Sequence, residues 1–263
     1  MSTKTIWITA FDKAQDAVRV AALSQVLKRY GLATQGHFWI DEPDKLAWRA
    51  GLDALNATRA DVWLIVASHD ALAKPSIRYG LSLFAASLRD ARGAAFPIVL
   101  SAPGAPDTLG VQAAWLANAP ILDETAAAWP AKIVAKANAV SAAPAPDYRL
   151  AVLGEERLGQ WFSIGPRRGE WQGVIFGVHG SDAKIDFQAV GRAGMLPEKT
   201  TLEYAQEGLT LQVGGRAFTA WAVRNTLVAD DAYYARVAGS PQAVLFMPYA
   251  EGDDAEATVV ELI

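Results

Sequence analysis

Cysteine is absent from all 263 positions, which excludes disulfides, iron–sulfur clusters and thiol catalysis and suits a reducing compartment. Histidine is nearly as scarce, at three residues (His37, His69 and His179). None of them falls in a HExxH-type spacing, so the sequence offers no metal site. A basic surplus is missing too: 24 Lys and Arg against 28 Asp and Glu leave a formal charge of −4. No basic run is interleaved with aromatics, so nucleic acid is not an expected partner. No stretch approaches the roughly 20 apolar residues that span a bilayer. The segment Met1 to Ala10 enters a strand pattern directly, without the apolar run and cleavage site of a signal peptide. The expectation is a cytoplasmic protein with neither a membrane nor a nucleic-acid partner.

What is present is organised around Ala60 to Ala91. Val62-Trp63-Leu64-Ile65-Val66-Ala67 is an apolar, β-branched run that reads as a strand buried on both faces. Ser68-His69-Asp70 breaks it, and Pro75 suits the first turn of a helix carrying Leu81, Phe84 and Leu88. Before it, Thr5–Thr9 reads as a strand, and Val20, Leu23, Leu27 and Tyr30 mark one face of a helix that Gly31 closes. A second strand lies within Leu32 to Ile40. After Asp41-Glu42-Pro43-Asp44 comes a helix with Leu46, Leu52 and Leu55. Phe96–Leu100 is a fourth strand. A short helix near Thr108 to Asn118, a brief strand at Ile121-Leu122 and a helix from Asp123 to about Ala139 complete the half. This alternation predicts a parallel sheet with helices on both faces.

Ser141 to Pro146 has a linker's composition, small residues and Pro. Beyond it the pattern changes to short apolar or alternating runs at Tyr148–Leu153, Gly173–Val178, Leu209–Val213, Phe218–Val223 and Ala243–Met247. Val213 followed by Gly214-Gly215 looks like a strand entering a tight hairpin. Asp230 to Val237 is ambiguous between strand and helix. The expected division is an α/β domain over 1–140, a linker over 141–147, and a mostly β domain, sandwich or small barrel, over 148–263.

The first half resembles a Toll/interleukin-1 receptor (TIR) domain over roughly residues 4–139. Ile6-Trp7-Ile8-Thr9 is similar to that family's opening strand. Gly31-Leu32 and Trp39-Ile40-Asp41 are similar to the passage leading into its BB loop, and Trp48 to the tryptophan that starts the next helix. Asp61-Val62 through Ser68 resembles the strand ending in serine, and Leu72 with Ser76-Ile77-Arg78-Tyr79 the start of the following helix. The resemblance implies a flavodoxin-like sheet. It also implies a signalling module that associates with itself or with another TIR-like domain through Asp41 to Lys45 and the helix near Pro75. The β domain would sense a partner or ligand.

Some TIR domains cleave NAD, using a glutamate in that last helix. The matching position here is Gly80, and Ser76-Ile77 stands where the family has Trp-Cys. The resemblance therefore implies no catalytic residue and no cofactor. The rival reading is an NAD or nucleotide hydrolase, or a nucleotide binder that does not cleave. Its pocket would be formed by Phe11, Trp48, Ser68 and Tyr79, with Asp41, Glu42 and His69 as further ligand-binding candidates. Asp41 or Glu42 would substitute for the missing carboxylate, and Gly80→Glu is the change that would restore it.

Other marked residues have plainer readings. Ser68-His69-Asp70 is a turn and helix start, since triad groups converge from separate segments. Gly173, Gly177 and Gly180 punctuate strands, and Glu155-Glu156 and Asp253-Asp254 are solvated turn residues. Arg167-Arg168 follows a Gly-Pro turn and is an exposed pair that could meet a phosphate or an acidic partner. His37 is a partly exposed strand residue. Trp7 and Trp63 belong to the core, whereas Trp39 and Trp48 flank the acidic loop and are expected on a ligand or interface surface.

Overall fold

A computed structural model describes residues 3–104, 116, 119–139, 145–249 and 256–263. The chain divides into two compact units, Met1–Glu42 with Ala47–Pro144, and Pro43–Leu46 with Ala145–Ile263. Residues 141–144 of the expected linker, the expected helix near Thr108 (except Leu116), and Asp253-Asp254 lie outside the described residues.

The first unit contains β1 (Thr5–Ala10), α1 (Lys13–Arg29), β2 (Ala33–Phe38), α2 (Trp48–Ala57), β3 (Val62–Val66), α3 (His69–Ala73), α4 (Pro75–Arg92), β4 (Ile98–Ala102), β5 (Ile121–Asp123) and α5 (Trp129–Asn138). The sheet order is β2-β1-β3-β4-β5, and every pairing is parallel. β3 is central and wholly buried because its five residues are all apolar and neither face needs a polar side chain. On one face Ile6, Ile8, Val62, Leu64 and Val66 pack with Leu23 and Leu27 of α1 and Ile133 of α5. On the other, Trp63 stacks on Phe84 of α4, ring centroids 4.1 Å apart.

Helix ends follow local chemistry. Asp12 caps α1 by accepting the amides of Ala14 and Gln15. At the other end the Leu32 amide bonds back to the Leu27 carbonyl around Gly31, whose φ of 79° is the left-handed geometry of that closure. Tyr30 departs from the expected helical face. It is the C-cap residue, outside the helical period, and is half exposed. The last helix also begins later than expected, at Trp129. Asp123 is still in β5 and turns the chain by accepting the Thr125 amide and hydroxyl, at 2.9 and 2.7 Å.

The second unit is antiparallel throughout: β6 (Tyr148–Glu155), β7 (Gly159–Pro166), β8 (Glu170–Trp171), β9 (Val174–His179), β10 (Lys184–Arg192), β11 (Gln206–Val213), β12 (Arg216–Val223), β13 (Leu227–Val228), β14 (Asp231–Ala238), β15 (Ala243–Pro248) and β16 (Thr258–Glu261). Among the described residues they form a four-stranded sheet β10-β14-β7-β6, a five-stranded sheet β11-β12-β9-β15-β16, and the pair β13-β8. The two larger sheets face each other. Phe162 of β7 meets Phe176 of β9 with ring centroids 5.6 Å apart, and Phe176 in turn meets Tyr233 of β14. Of the two expected architectures this is the sandwich.

The ambiguous segment Asp230 to Val237 is strand β14, paired on both sides. Its alternation is masked because Tyr234, on the face away from Tyr233, is also buried, packed with Leu153, Trp161 and Leu196. The β11–β12 hairpin is as expected, with Val213 paired to Arg216 around two glycines at positive φ.

Candidate functional site

In open parallel sheets the ligand region lies outside the carboxyl ends of the strands, and in the first unit that edge is filled by a polar lock. Arg19, two turns into α1, donates to both oxygens of Glu124, just after β5, at 2.9 and 2.6 Å. The same guanidinium donates to the Ala67 carbonyl at the end of β3 (3.3 and 3.2 Å) and to the Ser101 carbonyl of β4 (3.2 Å). The Ser101 hydroxyl donates to Glu124 at 2.7 Å. Asp16, also buried, accepts the Phe11 and Asp12 amides and stands 3.8 Å from Arg19. The planar guanidinium thus donates to two strand-end carbonyls, that of Ser101 also accepting the Ala67 amide, and its charge is matched by a bidentate carboxylate.

Beside this lock lies an aromatic layer that explains Gly80. Trp7, His37, Trp39, Trp63 and Phe84 form a continuous set of ring contacts between the sheet and α2 and α4. A Cβ added at Gly80 would stand 2.6 Å from Cζ2 of Trp39, and one at Gly51 would stand 2.5 Å from Nε2 of His37. Each helix therefore carries a glycine where a ring approaches its backbone. The space beside Gly80 is taken by the Trp39 indole, so a side chain such as that of Gly80→Glu would meet the ring.

His37 accepts the Trp7 indole N–H on Nδ1 at 3.0 Å, which places its own proton on Nε2. That Nε2 is buried without a hydrogen-bond partner. Burial lowers its pKa to about 4, so the ring is neutral at pH 7. His37 is the partly exposed strand residue expected, in β2, with its Nε2 turned inward.

The seven expected ligand residues stand in different settings. Trp48 and Tyr79 are core residues, 3% and 1% exposed. Trp48 belongs to the buried stripe Trp48, Gly51, Leu52, Leu55 of α2, and Tyr79 to a helix buried nearly all round. The expectation of a tryptophan surface gives way for the same reason, since Trp39 is also buried. Phe11 is half-buried, its ring 6.2 Å from Trp39. Ser68 caps α3, its hydroxyl accepting the Ala71 amide at 3.2 Å. His69 and Asp70 are exposed and 3.7 Å apart, with Ser68 committed elsewhere, so the three form a helix start.

Asp41 and Glu42 are exposed, and Asp41 accepts the Ser76 hydroxyl at 2.9 Å, tying this loop to the first turn of α4. Ile40 beside it is 59% exposed. A cavity of about 220 Å³ opens elsewhere, beside β2, with Ile8, Ala10, Val20, Ser24, Gly36 and Phe38 in its lining; none of the seven lines it.

Sequence reading missed Arg19 and Glu124. They lie 105 residues apart, and neither stands in a motif. Only their positions, one at the opening of a helix and one just past a strand, signal that they share an edge. Among the described residues, no group of His, Asp or Glu is arranged to hold a metal, and no helix is long and apolar enough to cross a membrane. No protein-family model and no curated protein matches the chain.

Proposed function

We propose that the first unit is a TIR-like protein-interaction module without NAD-cleaving chemistry, and that the second unit is its sensing domain, both working in the cytoplasm. The strand order β2-β1-β3-β4-β5 supports the flavodoxin-like side of this reading. The observation that carries it is the indole of Trp39 against Gly80. Loss of nicotinamide develops positive charge on the ribose, and preorganised negative charge near that carbon is a large part of such catalysis. Here the place for it is apolar and full, and the strand-end edge is spanned by the Arg19–Glu124 pair.

Ile40 and Asp41 are exposed, and Asp41 accepts from Ser76 at the start of α4. An apolar side chain at the rim of a polar loop suits self-association or docking of another TIR-like domain. The test is incubation with NAD at several protein concentrations, following nicotinamide and particle size together. The expected result is no nicotinamide and a particle that grows with concentration, growth that Ile40→Asp abolishes. A particle of constant size would remove the association. Nicotinamide release lost in Asp41→Asn or Glu42→Gln would favour the hydrolase.

A further inference from the structure

We propose that the second unit carries a binding site for a small anion that also bears a hydrogen-bond donor, such as a phosphomonoester with an ammonium or hydroxyl group. A cavity of about 270 Å³ is lined by Arg149, Arg192, Ala193, Met195, Ala229 and Asp230. Arg149 starts on β6 and crosses over β7 to donate to the Asp231 carbonyl at the head of β14. The crossing depends on Gly165: a Cβ there would lie 2.8 Å from Nη2 of Arg149 and 2.6 Å from the Asp231 carbonyl oxygen. Arg192, at the end of β10, is paired in register with Asp231, which brings the second guanidinium to the same place.

The backbone around both groups is held from below. Tyr234, itself buried, donates its hydroxyl to the Arg192 carbonyl, and the Ala193 amide donates to the Asp230 carbonyl at 2.8 Å. The cavity therefore rests on paired strands, the kind of support that keeps a binding geometry fixed. Two arginines in one lining suit phosphate or carboxylate oxygens. Asp230 of the same lining has no ion-pair partner among the described residues. It repels a bare anion and selects one that brings a donor to it.

This site gives the sensing role proposed for the second unit a ligand class, and it stands apart from the TIR-like reading, which nicotinamide release and particle size test separately. The experiment is calorimetric titration of the full chain with inorganic phosphate and with phosphoethanolamine, alongside Arg192→Gln and Asp230→Asn. Both positions are exposed, and unchanged melting confirms that each variant folds. Saturable phosphoethanolamine binding is expected, tighter than phosphate, weakened about tenfold by Arg192→Gln, with the preference over phosphate lost in Asp230→Asn. No saturable binding of either probe, or binding indifferent to Arg192→Gln, overturns the site. Equal binding of the two probes by the unaltered chain overturns the role of Asp230.

Discussion

The two units place polar chemistry at opposite extremes. In the first, the edge where parallel sheets receive ligands is closed by Arg19, Glu124, Ser101 and two strand-end carbonyls, each satisfied by another. In the second, Arg149 and Arg192 stand at the rim of an open cavity, with Arg149 anchored by a carbonyl and not by a carboxylate. Glycine works differently in each as well. Gly80 and Gly51 let aromatic rings close the space between sheet and helices, whereas Gly165 opens a lane for an arginine. A fold class therefore does not locate the chemistry. What decides is whether the charged groups have already found partners inside the protein.

The comparison breaks most visibly at Gly80. Gly80→Glu puts a carboxylate into the Trp39 indole, and overpacking with a buried charge should cost about 4 kcal/mol or more. Gly80→Ala, without the charge, should cost less. Denaturant melts of both variants measure the difference. A Gly80→Glu protein as stable as the parent would mean the aromatic layer yields easily.

Next in size is the lock. Arg19→Ala leaves the largely buried Glu124 carboxylate without its cation, a loss of about 3 kcal/mol. Arg19→Met with Glu124→Leu should recover part of it, because removing both charges ends the unpaired burial. Equal melting of the single and double variants would show that the pair is not coupled.

The units should also fail at opposite ends of the pH scale. His37 has a folded pKa of about 4 against an ordinary value of 6.5, so the unfolded chain takes up its proton first. That contribution to stability is complete above pH 6.5 and is lost as pH falls towards 4, on the order of 3 kcal/mol. In the second unit burial pushes the Tyr233 hydroxyl up, reinforced by the charge of Glu207, and burial pushes Tyr148 and Tyr234 up as well. Their contribution is complete below about pH 10 and is lost as pH rises beyond it. Hydrogen exchange followed by peptide should show α2 and β2 loosening in acid, and β7 and β14 loosening in alkali. The smallest effect belongs to Ser76→Ala, which removes an exposed hydrogen bond to Asp41 and should shift stability by less than about 0.5 kcal/mol.

The order of strands and helices in the first unit was legible because β3 and β4 are continuous apolar runs and α1 carries clear cap signals. The second unit was less so. β10 slips register between Ile185 and Phe187, and β14 buries both faces, so neither shows clean alternation. The glycine at position 80 was readable, but the ring that requires it, Trp39, comes from a loop 41 residues earlier in the chain. Trp39 and Trp48 were misplaced by their acidic neighbours, since polar flanks say little about which way an indole turns. Arg19 and Glu124 were invisible because a single charged residue on an otherwise ordinary segment carries no local signal of burial.

The central proposal is that the first unit is a TIR-like module without NAD-cleaving chemistry, and nicotinamide release tests it most directly. Purified protein incubated with NAD should liberate no nicotinamide above the buffer rate at any protein concentration, including concentrations at which it self-associates. Sustained release that scales with protein and disappears in Asp41→Asn or Glu42→Gln would contradict the claim.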